Sequence, residues 1–248
     1  MMIPRPEGFV VNEIPGDYGK GECTHFTLTK KGWNTLDALR AIAKALGVKK
    51  GRFGFAGLKD KNAITSQRIS AWRIPPENLK KVSLPHIKLS NFKQGLEKIK
   101  IGSHKGNSFK ITILGASLKD IKEPKNVPNL FGPQRFGGNE EMGEKIVKGS
   151  LPLRELKKFD KRLIVLWINA WQAREWNKHI GLSLKTQPLP SCTVEGLGKF
   201  EGGERETVMN VMDFKAKRIK GGVRLSFALP KGSYATTLIK FLTGRQVL

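Results

Sequence analysis

Apolar and polar residues alternate along several stretches of this chain, and a period of two is typical of β-strands with one buried face. In "NSFKITILG", Phe109, Ile111 and Ile113 fall on one side and polar residues on the other. Strands are predicted for "GFVVNEIP", "THFTLTK", "RFGFAG", "AITSQRISAW", "NSFKITILG" and "GVRLSFALP". The proline-broken stretch "PPENLKKVSLPHIKL" is expected to be irregular, and residues 181–222 show no clear period.

Helical periodicity separates these strands. In "NTLDALRAIAKALGV" apolar residues recur every three or four positions, Asn34 or Thr35 can cap the first turn, and Gly47 can adopt the left-handed conformation that ends a helix. Helices are also predicted for "EEMGEKIVKG", "KRLIVLWINAWQAREWNKHI" and "GSYATTLIKFLTG", the last of which begins at Ser233. Interleaved helices and half-polar strands predict an α/β or α+β fold, with helices on one face of a sheet and the other face free to bind.

Charge then indicates the class of ligand. The 248 residues include 45 Lys and Arg against 21 Asp and Glu, a formal net charge of +24. This excess favours polyanions, and nucleic acid first, although a lysine-rich, merely solvated surface has the same composition.

Several classes of protein are disfavoured by the sequence. It has no apolar run of transmembrane length, no visible signal peptide and no basic amphipathic helix, so membrane contact is not expected. The two cysteines imply no disulfide framework, and a reducing cytoplasm is the simplest compartment. Cys23 and Cys192 are far apart, and neither a P-loop, a dinucleotide fingerprint nor a metal-ligand spacing is present.

One acidic residue, Asp60, lies inside the basic motif "GFAGLKDKNAITSQ". Neighbouring side chains of an extended or tightly turned segment point to opposite sides, so Lys59 and Lys61 would contact phosphates while Asp60 points into a pocket. The surrounding cations favour an ionised carboxylate. The alternative is a charged turn without function, since Gly, Lys and Asp are common turn residues.

A second stretch, "NLFGPQRFGG", has the composition of a loop but carries two aromatic residues. An aromatic side chain in a loop can stack on a nucleobase, so Phe131 or Phe136 is a candidate base contact and Arg135 a candidate phosphate contact. Packing against the core is the other explanation. It is preferred for Phe136, whereas the two explanations are equally supported for Phe131.

Three of these stretches, in order along the chain, resemble motifs of the tRNA pseudouridine synthase D family: "FGFAGLKDKNAITSQ", "NLFGPQRFG" and "FALPKGSYATTLI". The resemblance extends over about residues 1–149 and 223–244. It implies the pseudouridine synthase fold, a long mixed, mostly antiparallel sheet of two related halves with helices on one face and a basic cleft on the other. It also implies a tRNA substrate, typically the uridine at position 13, whose uracil is detached from C1′, rotated and rejoined through C5 without a metal or cofactor.

Residue by residue, the resemblance makes Asp60 the catalytic aspartate, which would act as a nucleophile or through a glycal-type elimination. Asn129 would hold the loop or the base, and Phe131 would stack on the flipped uracil. Leu229 would line the pocket, and Ser233 would start the last helix.

Two positions depart from the family pattern. Where the family usually has a lysine and an aspartate around the proline of its first strand, this chain has Ile3 and Gly8. Arg5 is the nearest substitute for the lysine. Because residues i and i+2 of a strand face the same side, its guanidinium is predicted to approach Asp60.

The resemblance also implies a division into a catalytic core, residues 1–149 and 223–248, and a reduced insertion, residues 150–222. The resulting prediction is a monomeric, cofactor-free, cytoplasmic tRNA pseudouridine synthase. The alternatives are a catalytically silent relative that binds RNA and a basic ribosome-associated protein.

Overall fold

The computed structural model describes residues 1–245, which form two compact units. The first unit contains Met1–Lys122, Val211–Gly232 and Arg245, and the second contains Glu123–Asn210 and Ser233–Gly244. The units do not coincide with the predicted core and insertion, because residues 123–149 and 233–244 lie in the second unit and residues 211–222 in the first. The functional division into a catalytic core and an insertion stays a prediction.

Helices and strands alternate along the chain, as predicted. In chain order they are β1 (Phe9–Ile14), β2 (Lys20–Lys31), α1 (Thr35–Ala45), β3 (Phe53–Phe55), β4 (Ile64–Trp72), α2 (Pro76–Lys80), β5 (Ile87–Leu96), β6 (Gly106–Leu114), α3 (Pro133–Phe136), α4 (Glu140–Val147), α5 (Leu153–Leu156), α6 (Lys161–Lys178), β7 (Thr186–Pro188), β8 (Cys192–Val194), β9 (Gly198–Phe200), β10 (Glu204–Glu206), β11 (Met212–Ile219), β12 (Gly222–Pro230) and α7 (Ala235–Thr243).

The first unit is organised by a mixed sheet of eight strands. Its order is β11-β12-β6-β1-β4-β2-β5, and β3 also pairs with β4. The central strands β1 and β4 are parallel, with Val10 opposite Ile64, whereas the other pairs are antiparallel. The mixed, mostly antiparallel sheet with helices confirms the predicted fold class.

One face of this sheet packs against α1. Phe26, Leu28 and Ile69 are fully buried in a cluster with the apolar side of the helix. The helix has the predicted ends: the Asn34 side chain accepts a hydrogen bond from a backbone N–H of the first turn, and Gly47 has a φ of +65°. The cap hydrogen bond fixes the position of Asn34 and of Thr35, the first residue of α1.

The strand β5 and the start of α7 differ from the sequence prediction. Pro76 lies in the first turn of α2, and Pro85 precedes β5, so neither proline interrupts an element. Because β5 pairs with β2 through several register shifts, it shows no clean alternation. The last helix begins at Ala235, and the Ser233 hydroxyl, instead of capping it, donates to Asn129 Oδ1 at 3.1 Å.

In the second unit, α6 packs against α4. The shared core contains Ile146, Ile164 and Ile168, which are almost completely buried. Two small antiparallel sheets, β10 with β7 and β8 with β9, complete the unit. Among the helices of residues 1–245, none combines the length and the apolar composition needed to cross a bilayer.

Candidate active site

Asp60 lies on the loop between β3 and β4, and hydrogen bonds to two buried side chains, Thr35 of α1 and Gln67 of β4, hold this loop. The Gln67 side chain donates to the carbonyl oxygen of Gly57 at 3.0 Å, and the backbone N–H of Lys59 donates to Thr35 Oγ1 at 2.9 Å. Thr35 and Gln67 are themselves hydrogen-bonded at 2.8 Å. The backbone that leads into Asp60 is therefore held by side chains of two regular elements.

The Asp60 carboxylate pairs with Arg5, as predicted, although Arg5 lies in a turn that precedes β1 and not on a strand. Arg5 Nη1 lies 3.0 Å from Asp60 Oδ2 and 3.1 Å from the carbonyl oxygen of Asn62. The guanidinium also lies 4.0 Å from the centre of the Phe9 ring, in a cation–π contact. Ile3, at the family's lysine position, is buried. Because 33% of the Asp60 side chain is exposed, the carboxylate is paired and still accessible.

The two lysines beside Asp60 have different environments. Lys59 Nζ lies 3.1 Å from Glu13 Oε2 and donates to Asn107 Oδ1 at 2.6 Å, and both charged side chains are buried. The prediction that Lys59 contacts phosphate is therefore wrong, because a buried carboxylate retains its ammonium group. Lys61 is exposed and remains a predicted phosphate contact.

The side chain of Lys30, on β2, contacts the backbone of the same loop. The side chain is buried, and Nζ donates to the carbonyl oxygens of Trp33 at 2.6 Å, Lys59 at 3.2 Å and Asp60 at 3.0 Å. Burial lowers the pKa of Lys30 to about 8, and the nearby Asp60 charge opposes that shift.

In the second unit, Asn129 is buried and its polar atoms are bonded within the unit. Oδ1 accepts from Arg205 Nη2 at 2.9 Å and from Ser233 Oγ at 3.1 Å. Nδ2 donates to the carbonyl oxygen of Glu206 at 3.0 Å, and the backbone N–H donates to that of Thr207 at 2.8 Å. This arrangement favours the first of the two predicted roles, in which Asn129 holds the loop.

Phe131 lies in a cluster of aromatic side chains around one guanidinium. Its ring centroid is 5.6 Å from that of Trp176 and 6.2 Å from that of Tyr234, and the Arg205 guanidinium carbon lies 4.0 Å from the ring centre. The Asn177 side chain forms two hydrogen bonds with the Phe131 backbone, at 2.8 and 3.0 Å. The ring is only partly buried, so it is both packed and partly open.

Arg205 connects these two predicted residues. It donates to the Asn129 carbonyl oxygen at 2.8 Å as well as to the Asn129 side chain, and it covers one side of the Phe131 ring. Burial lowers the pKa of Arg205 to about 10, so the guanidinium is still charged at neutral pH.

The other predicted site residues are placed as follows. Arg135 is partly exposed on α3, with its guanidinium carbon 5.9 Å from the Phe131 ring centre. Leu229 is fully buried in β12, so it does not line an open pocket as predicted. Arg5 and Asp60 come together in the first unit, whereas Asn129, Phe131 and Arg135 come together in the second.

Sequence analysis missed Glu13, Asn107, Lys30 and Arg205. A signal existed for two of them, because strand alternation places side chains i and i+2 on one face. Lys30 follows Phe26 and Leu28 in this period, and Glu13 follows Phe9 and Val11. A charged residue in phase with core residues predicts a buried, paired charge. No comparable pattern marks Asn107 or Arg205.

Comparison with known proteins places this chain in a family. The family model described as tRNA pseudouridine synthase D matches residues 3–152 and 191–241. The chain therefore belongs to the tRNA pseudouridine synthase D family. The match is interrupted within the region predicted to be a reduced insertion, residues 150–222.

Named relatives agree with this assignment. The chain is 37% identical over 201 residues to the tRNA pseudouridine synthase D of a Nitratiruptor species, covering 75% of this chain and 54% of the relative. It is 40% identical over 150 residues to that of Geotalea daltonii, covering 55% of this chain and 38% of the relative. The chain thus spans about half or less of the length of these relatives.

The fold also has a match among solved structures. A crystal structure of a Methanosarcina mazei protein assigned to tRNA pseudouridine synthase D aligns with a TM-score of 0.73 at 19% identity, covering 99% of this chain and 94% of that one. At this identity the likeness concerns the fold alone.

Proposed function

We propose that this chain is a tRNA pseudouridine synthase and that Asp60 is its catalytic residue. The observation that carries the proposal is a partly exposed carboxylate, ion-paired with Arg5, on a loop held by hydrogen bonds to the buried Thr35 and Gln67 side chains. Positioning of this kind is what a group that must act at one atom of a substrate requires. The proposal also rests on membership of the family.

Two routes suit a single carboxylate next to the ribose. In the first, an Asp60 oxygen bonds to C1′ as the N1–C1′ bond breaks. In the second, the carboxylate takes the C2′ proton as the N1–C1′ bond breaks, and a glycal forms. In both, uracil rotates and C5 bonds to C1′, as the Asp60–C1′ bond breaks in the first route and as Asp60 returns the proton to C2′ in the second. One proton then leaves C5 and another reaches N1, and the carboxylate is restored. The product is therefore an isomer of the substrate, and Arg5 would stabilise the carboxylate at the start and the end.

The reacting uridine has to leave its stack, which costs a few kcal/mol. We propose that Phe131 offsets part of this cost by stacking on the uracil, an interaction worth roughly 1–3 kcal/mol. The partly open Phe131 ring supports this role. We take the substrate to be the uridine at position 13 of tRNA, and the protein to act in the cytoplasm as a monomer, by analogy with the family.

Charge on the sheet supports an RNA partner. On the face opposite α1, Lys217 lies directly across from Arg224, and Lys215 and Lys110 flank Ser226 in the adjacent row. All four cations are exposed. Like charges on paired strands repel one another, so the arrangement costs stability unless an anion such as the RNA backbone lies against it.

Incubation of the purified protein with a tRNA transcript, followed by mapping of pseudouridine, tests the proposal. Wild-type protein should form pseudouridine, and Asp60→Asn should form none while its tRNA affinity changes by less than about tenfold, or ~1.4 kcal/mol. Asp17→Asn is a matched control, because Asp17 is also paired with a cation but lies on an exposed loop. Normal turnover by Asp60→Asn would contradict the assignment of Asp60 as the catalytic residue. Tight binding without any pseudouridine from wild-type protein would instead favour a silent RNA-binding relative.

A further inference from the structure

Lys30 is a buried cation inside an apolar face. It follows Phe26 and Leu28 on the α1 side of β2 and is only 1% exposed. An ammonium group taken out of water is costly unless its donors are all bonded. A methionine or leucine at this position would pack without that cost. The reason for a charged residue here must therefore lie in the groups that its ammonium contacts.

Its three N–H donors have three acceptors, all of them backbone carbonyl oxygens. One belongs to Trp33, in the turn between β2 and α1, and the other two belong to the consecutive residues Lys59 and Asp60. The ammonium group therefore joins the turn to the two peptide units on either side of the Asp60 Cα.

The contact orients Asp60 from its backbone. Arg5 approaches the carboxylate, whereas Lys30 fixes the peptide planes from which the side chain projects. Of the two lysines beside Asp60, Lys59 pairs with Glu13 of β1, and Lys61 is exposed to solvent. On the neighbouring elements, β4 places the neutral Thr65 opposite Lys30, and α1 contributes the Thr35 hydroxyl.

We infer that Lys30 is a positioning residue for the proposed catalytic Asp60, and that its charged form holds the loop in the reactive geometry. The inference rests on the proposed function. Displacement of a reacting group by about 1 Å can cost on the order of 100-fold in rate, so loss of this triple contact should appear in turnover and not in RNA affinity.

Ionisation of Lys30 gives this role a signature. Burial lowers its pKa to about 8, with the Asp60 charge opposing and the Lys59 charge reinforcing the shift. Below that pH the ammonium donates three hydrogen bonds, and above it the neutral amine donates two and carries no charge. The rate of the chemical step should therefore fall as the pH rises through about 8.

The test compares Lys30→Met with Lys31→Met in single-turnover pseudouridine formation. Lys31 is the matched control, because it is the next lysine on the same strand but pairs with the exposed Glu7. Lys30→Met should lower the rate by about 100-fold with tRNA affinity changed by less than about threefold, or ~0.7 kcal/mol. It should also lack the alkaline fall that wild type and Lys31→Met show.

The outcomes distinguish failure of the proposed function from failure of this inference. If the wild-type protein forms no pseudouridine, the proposed function itself is contradicted. If the wild type is active and Lys30→Met is equally active with an unchanged pH profile, only this inference is contradicted. If Lys30→Met does not fold, the wild-type profile decides instead. A rate that is flat from about pH 7 to about pH 9, on both sides of the Lys30 pKa of about 8, would overturn the inference.

Discussion

The cation that pairs with Asp60 is the guanidinium of Arg5. Arg5 lies two residues after the position at which the family usually has a lysine. The substitution works geometrically because a guanidinium is longer than an ammonium group and has several donors. One nitrogen of Arg5 reaches both Asp60 and the Asn62 carbonyl oxygen. The pair is partly exposed, 24% for Arg5 and 33% for Asp60, so solvent screens its Coulomb energy. Its value lies in orientation more than in stability.

We expect Arg5→Ala to lower pseudouridine formation by about tenfold or more, since hydrogen bonds to charged groups contribute roughly 1.5–3 kcal/mol. Arg5→Lys should retain part of the rate, because an ammonium group supplies the charge but not the fork of donors. The control is Arg40→Ala, which breaks an exposed arginine–aspartate pair on α1 and should leave the rate unchanged. Equal rates for wild type and Arg5→Ala would show that the pair has no part in turnover.

The loop around Asn129 and Phe131 is oriented by residues of a neighbouring strand and a neighbouring helix. Arg205, on β10, binds the Asn129 backbone and side chain and covers one side of the Phe131 ring. Trp176, on α6, packs against the ring in a T-shaped arrangement. A loop without regular structure is thus oriented by a strand and a helix of its own unit, which keeps an aromatic ring partly open at little entropic cost on binding.

Phe131→Leu keeps an apolar side chain but removes the π-face. If Phe131 stacks on uracil, the rate per folded molecule should fall by about tenfold or more, corresponding to a stacking free energy of roughly 1–3 kcal/mol, while the Tm changes little. Phe136→Leu, at the end of the neighbouring helix α3, is the matched control and should alter the Tm more than the rate. A sharp fall in the Tm of Phe131→Leu with normal residual activity would identify Phe131 as a core anchor.

The net charge of +24 acts at the scale of the whole molecule. Each phosphate neutralised by a cation releases condensed counterions, so RNA affinity should depend steeply on salt. With several contacts, the association constant should fall by at least about tenfold between about 50 and about 200 mM salt. Equilibrium binding to tRNA over this range measures the slope.

Lys217→Glu combined with Arg224→Glu should lower that slope by about two if both cations contact phosphate. The two residues are cross-strand neighbours, so the double substitution changes one patch. A slope near zero in wild type would mean that the charge is solvated surface. An unchanged slope in the double variant would place the RNA contacts elsewhere.

The sequence alone determined most elements of this protein and the location of its candidate chemistry. The strands β1, β4, β6 and β12 and the helix α1 follow from apolar period, caps and a C-terminal glycine, all of which are local signals. The motif around Asp60 is also visible in the sequence. Arg5 is identified there as the candidate cation from strand spacing, but it lies in a turn before β1, and the fold brings it to Asp60 from 55 residues away.

Only the tertiary structure decided which partner each charge has. Lys59 was predicted to face phosphate, but Glu13 and Asn107, from β1 and β6, bind it in the interior. Lys30 was overlooked, although its phase with Leu28 marks it as buried. The physical reason is that periodicity reports the face on which a side chain lies, whereas its partner depends on the register between strands far apart in sequence. Burial, and with it the need for that partner, exists only once those strands pair.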